Sequence, residues 1–207
     1  MSTRAAMISE MEDDMERSDS TAFTSKINAA IRQYQPKRFW FNESRSVTFS
    51  LVASTDTYSF TTIGTEFYRI DGVFLTVDDV RELDRWDYTR MMERLADEQT
   101  ETDVPSAWAY ISRGMRFWRS PDDAYSVRLT GHVKLAAPAT DSEADNLWMT
   151  EAYDLIMCRA KAELYAHRYE DPANAQTMRI AERDALNRLL GATEDKVAPG
   201  YLEATEF

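Results

Sequence analysis

Residues 103–135 read DVPSAWAYISRGMRFWRSPDDAYSVRLTGHVKL. Pro105 stops any helix arriving from upstream, because its ring leaves no N–H to continue the ladder. Met115 and Phe117 alternate with Arg116 and Trp118, and Tyr125, Val127 and Leu129 alternate with Ser126, Arg128 and Thr130. Apolar residues at period two mean strands with one buried face. Between the runs, Pro121-Asp122-Asp123 is a turn: proline presets φ, and aspartate side chains bond nearby amides. Short turns between such runs predict an antiparallel meander. The stretch carries no catalytic motif.

The same period extends upstream. Val47, Phe49 and Leu51 alternate with Thr48 and Ser50, Tyr58 and Phe60 start a second run, and Phe67–Val77 is a third, with Gly72 placed for a bulge or bend. Tyr88, Met91, Met92 and Leu95 recur at i, i+3, i+4 and i+7, which predicts a short helix over 87–96. A β-domain over 46–135 with one helix inserted follows.

Outside this region the period changes to 3.6. Met7, Ile8, Met11 and Met15 form a stripe on an acidic N-terminal helix over 5–17. Ser20 or Thr21 can cap a second helix, whose face is Phe23, Ile27, Ala30, Ile31 and Tyr34 and which Pro36 ends. A basic-aromatic segment, Lys37–Arg45, completes an N-terminal region over 1–45. Downstream, Thr140-Asp-Ser-Glu143 reads as a capping box, opening a helix to about Tyr169. Asp171-Pro172 restarts the chain as a second helix, for which Gly191 suits the C′ position. The short link predicts a helical hairpin over 142–190. Residues 192–207 have no helical period and read as an extended tail carrying Tyr201, Leu202 and Phe207. The expected fold class is therefore α+β: an antiparallel β-domain inserted between an N-terminal helical segment and a C-terminal helical hairpin.

The composition narrows the function. At 43% apolar and 12% aromatic, the 207-residue chain can build a real core. A formal net charge of −12 repels phosphate and disfavours tight nucleic-acid binding. The one cysteine, Cys158, excludes an intrachain disulfide framework and reads as a structural thiol on a helix. No apolar run approaches the roughly 20 residues that span a bilayer, and the N-terminus has no signal-like apolar region. A soluble chain with no membrane association is expected. The two histidines, His132 and His167, sit in no triad motif. Glu163 and His167 at i, i+4 could share a metal or an ion pair; with no second ligand pair, the ion pair is the reading. No phosphate-cradling glycine loop is present. No catalytic, cofactor-binding or metal-binding residue is assigned.

The order of parts then becomes specific: Arg38-Phe-Trp-Phe-Asn-Glu-Ser44, Phe67-Tyr-Arg-Ile70, the Tyr88–Leu95 helix, Pro105-x-x-Trp-x-Tyr110, Phe117-Trp-Arg-Ser-Pro121 and a closing hairpin rich in Ala, Tyr and Arg. Over residues 20–190 this resembles the head–tail adaptor (connector) proteins of tailed bacteriophages. The resemblance implies a non-enzymatic virion protein without cofactor, made in the host cytoplasm and placed at the head–tail junction, the viral neck. It implies a homo-oligomeric ring, commonly a dodecamer, that binds the portal protein, offers a surface to tail or nozzle proteins, and continues a channel through which double-stranded DNA passes without specific binding. In that setting Tyr201, Leu202 and Phe207 are the portal-binding candidates, and Lys37, Arg38, Trp40 and Arg45 the secondary interface. The competing readings are a tail-completion or stopper protein, and a β-sandwich carbohydrate-binding module using Trp108, Trp118 and Tyr110.

Overall fold

The computed structural model of the chain describes residues 2–97 and 102–197. They divide into a helical unit, formed by the chain up to Phe41 and again from Leu135, and a β-unit over Asn42–Lys134. The α+β class and the insertion of the β-unit between helical segments are as expected.

In the helical unit, α1 (Arg4–Met15) is capped by Thr3, whose hydroxyl accepts from the Ala6 amide at 3.1 Å. Met7, Ile8, Met11 and Met15 are all buried, as their spacing requires. Helix α2 (Ser20–Tyr34) is capped by Asp19, one residue before the expected hydroxyls; its carboxylate accepts from the Ala22 amide at 3.1 Å. Its predicted face is buried throughout. After Pro36, Phe39 and Phe41 stack with ring centroids 5.3 Å apart, and both meet Trp148 edge-on. The basic-aromatic segment thus gives two of its rings to the core.

Two expectations fail at the hairpin. Thr140–Glu143 does not start a helix. Helix α5 (Leu147–Glu151) begins after Asn146, whose side chain accepts from the Trp148 amide at 3.2 Å. The 136–146 segment is instead held by the N-terminus: Arg4 donates to Asp141 at 2.5 Å and to the Pro138 carbonyl at 2.9 Å, and Ala5 N–H donates to the Asp141 carbonyl. Ala152 then separates α5 from α6 (Tyr153–His167). Asp171 restarts the chain as read, accepting from the Asn174 amide at 3.0 Å. But α7 (Pro172–Val197) runs straight through Gly191 instead of ending there. A Cβ at Gly191 would meet nothing within 4 Å. Residues 192–197 are therefore helix, not extended tail, and 198–207 lie outside the described residues.

The β-unit is two four-stranded sheets, not one meander. The first has order β1-β8-β3-β4, with β1 at Glu43–Ser50, β3 at Phe67–Thr76, β4 at Val80–Glu82 and β8 at Ser126–Val133. The second has order β2-β7-β6-β5, with β2 at Thr57–Ser59, β5 at Asp84–Trp86, β6 at Ala107–Ile111 and β7 at Gly114–Trp118. The Pro121–Asp123 turn carries the chain from one sheet to the other, so β7 and β8 do not pair. All named pairs are antiparallel except β5 with β6, which is parallel. The sheets face each other through Phe49, Tyr58 and Phe117. The bulge read at Gly72 is present as a register shift between Ile70 and Gly72. Opposite it, Gly131 has φ 155°, and a Cβ there would stand 2.2 Å from the Arg69 carbonyl oxygen, so only glycine fits. Phe60 begins a one-turn helix, α3 (Phe60–Ile63), rather than continuing a strand, because Ser59 caps it. Helix α4 (Tyr88–Asp97) lies where predicted and covers Ala107, Ala109 and Trp118 with Met91 and Leu95.

Candidate functional site

The two histidines and the cysteine are tied up in structure. His132 is 4% exposed and lies against Tyr68, with centroids 5.2 Å apart. His167 Nε2 is 3.5 Å from Glu163, which also pairs with Arg159 at 2.8 Å, so the i, i+4 ion-pair geometry is present. Burial raises the Cys158 thiol above its ordinary pKa, the opposite of what a reactive thiolate needs. Among the described residues no group of three or more His, Cys, Asp or Glu could hold a metal ion, and no helix is long and apolar enough to cross a membrane. The candidate sites are surfaces.

The secondary interface residues separate. Lys37, Arg38 and Trp40 belong to the helical unit and Arg45 to the β-unit. Arg45 is exposed on β1 and pairs with Glu43 at 3.2 Å. Trp40 is held by the last turns of α7: its N–H donates to Thr193 Oγ1 at 3.2 Å, and the Lys196 ammonium stands 3.3 Å from its ring centroid. That cation–π contact ties the end of α7 to the basic-aromatic segment. The last turn of α7 therefore lies beside Trp40. Tyr201, Leu202 and Phe207 lie outside the described residues.

The aromatic platform required of a carbohydrate module is missing from the two tryptophans named for it. Trp108 is 2% and Trp118 8% exposed, both inside the β-unit, while Tyr110 is 42% exposed. Period two had suggested strands but could not say that both faces of β6 and β7 are covered, one by the other sheet and one by α4. Tyr110 does share a shallow cleft with Tyr88 and Arg85.

A feature missed in the sequence is the outer face of the hairpin. Between α6 and α7 runs a groove of two adjoining clefts, about 270 and 410 Å³, that share Asp154 and Arg188. Its floor includes Met157, Cys158, Ala181 and Leu189. Only three residues of the 26-residue α7 are buried, Ala175, Glu182 and Ala185, and Ile180 is 46% exposed. A helical wheel of 172–190 already carries the charge pattern; which flank borders a groove depends on how α6 packs against it.

Compared with known families, the chain matches the model of the SU10 adaptor protein over residues 2–202. No curated protein matches it.

Proposed function

The chain belongs to the SU10 adaptor protein family, phage structural adaptors rather than a known class of enzyme, and from that premise we propose that it forms an oligomeric ring joining the portal of the DNA-filled head to the tail. The observation that carries this reading is the extent of the match, which takes in both the helical unit and the β-unit. The net charge of −12 supports a channel role, since an acidic wall lets DNA slide where a basic one would grip it. Copies of the chain, the portal protein and tail or nozzle proteins are its partners, and the virion neck is its place.

Portal attachment is assigned to 198–207, with Tyr201, Leu202 and Phe207 entering apolar pockets while the extended backbone adds hydrogen bonds. The anchored Trp40–Lys196 contact gives that segment a fixed root. Deleting 198–207 is expected to abolish attachment to portal-bearing heads and leave the melting temperature of the free protein unchanged. Normal occupancy of heads by the truncated chain excludes the tail as anchor and passes the role to Lys37, Arg38 and Trp40.

A further inference from the structure

Helix α7 carries different charge on its two flanks. At 3.6 residues per turn, Arg179 and Arg183 share one flank, and Ala181, Asp184 and Arg188 share the other. Arg179 and Arg183 are exposed, and neither has an acidic partner among the described residues. Two like charges one turn apart repel, so this pair destabilises the isolated helix. On the opposite flank, Arg188 is taken up by Asp154 at 3.4 Å. Asp184 and Glu151 are left on the rim of the groove with no basic partner among the described residues. The groove thus joins an apolar floor to a net negative rim, and the other side of the same helix offers two unpaired cations.

We propose that the α6–α7 groove receives the Arg179–Arg183 flank of α7 from a second copy of this chain; the proposal rests on the ring reading above and names the surfaces that close it. Arginine suits the groove because its aliphatic stem covers apolar floor while the guanidinium reaches carboxylates on the rim. The giving and receiving surfaces are different and lie on opposite flanks of one helix. Such a contact is heterologous: each copy gives on one side and receives on the other, so the contact propagates instead of stopping at a pair. The rival use of the same arginines is contact with DNA phosphates.

The test is charge reversal in the full chain, read by mass photometry in DNA-free buffer, alone and on portal-bearing heads, with retention on double-stranded DNA measured in parallel. One variant carries Arg179→Glu with Arg183→Glu, the other Glu151→Arg with Asp184→Arg. Each alone should shift the assembly midpoint upward by about a hundredfold or more, since like charges then face each other. A 1:1 mixture should restore assembly with the two variants alternating, because every flank again meets a groove of opposite sign. As a second readout, Arg183→Cys combined with Glu151→Cys in a Cys158→Ser background should cross-link between copies under diamide, giving a ladder beyond the dimer that omitting Glu151→Cys collapses to dimers at most. If wild-type chains form rings and both reversed variants form them equally well, or the mixture fails to restore assembly, this interface is wrong and the ring reading stands. If wild-type chains stay monomeric in both settings, the ring reading fails and takes the interface with it. If the arginine-reversed variant assembles normally but loses retention on DNA, the flank is a DNA contact and the proposal is overturned.

Discussion

Tyr34 shows what a single residue decides in the helical unit. It is 3% exposed, and its hydroxyl donates to the buried Glu182 carboxylate, which also faces Arg159 at 3.5 Å. Burial first, and the Glu182 bond second, push the Tyr34 phenol well above its ordinary value. Tyr34→Phe should cost about 1–3 kcal/mol in chemical denaturation, because it takes a donor from a buried carboxylate. The pH dependence follows from the direction of the shift. Unfolded tyrosine ionises near pH 10, while the folded phenol stays protonated, so the contribution is fully present below about pH 10 and is lost as pH rises beyond it. Tyr58, Tyr153 and Tyr165 are shifted in the same direction, each mainly by burial. Stability measured from pH 8 to 11 should fall above about pH 10, less steeply in Tyr34→Phe; an unchanged profile in the variant contradicts this assignment. Periodicity identified Tyr34 as a core position but not its hydroxyl's partner, which lies 148 residues away in sequence.

At the scale of elements, much of the fold was legible. The α1 and α2 stripes, α4, the Asp171 restart and the Gly72 bulge each rest on local spacing, which sequence carries directly. What was not legible is non-local. The capping box at Thr140 failed because the Glu143 carboxylate accepts from the Ala139 amide and the Asn146 side chain, while Arg4, 137 positions away, holds Asp141. The meander failed because a turn looks the same whether the chain stays in one sheet or crosses to another. Gly191 failed because a glycine suits a helix end yet is tolerated inside one at a cost. That last point is testable. Inside a helix, with open space around it, Gly191→Ala should stabilise the protein by about 0.5–1 kcal/mol. Had α7 ended there in the left-handed conformation, the same change would destabilise it. The longer helix also alters the expected effect of truncation. Removing 192–207 deletes the Thr193 and Lys196 contacts to Trp40 and should lower the melting temperature. Removing 198–207 should not, and equal melting temperatures for the two truncations would show that the Trp40 contacts add nothing.

At the scale of the whole molecule, the candidate site was legible only in part. The family was readable from the order of weak motifs, and the match over residues 2–202 bears it out. The hairpin groove and the two-faced α7 were hidden, because which flank of α7 borders α6 is set by packing between helices and not by local spacing. A ring of copies around a DNA channel at the portal is the proposal on which the rest depends. A stable contact between two subunits buries about 1,600 Å² in total, and every subunit of a ring makes two such contacts. The most direct measurement is an image of the neck complex, formed by adding the purified full chain to portal-bearing heads. A closed ring of this chain, coaxial with the portal and open along its axis, is expected. A single copy, or copies scattered on the head without a closed ring, would contradict it.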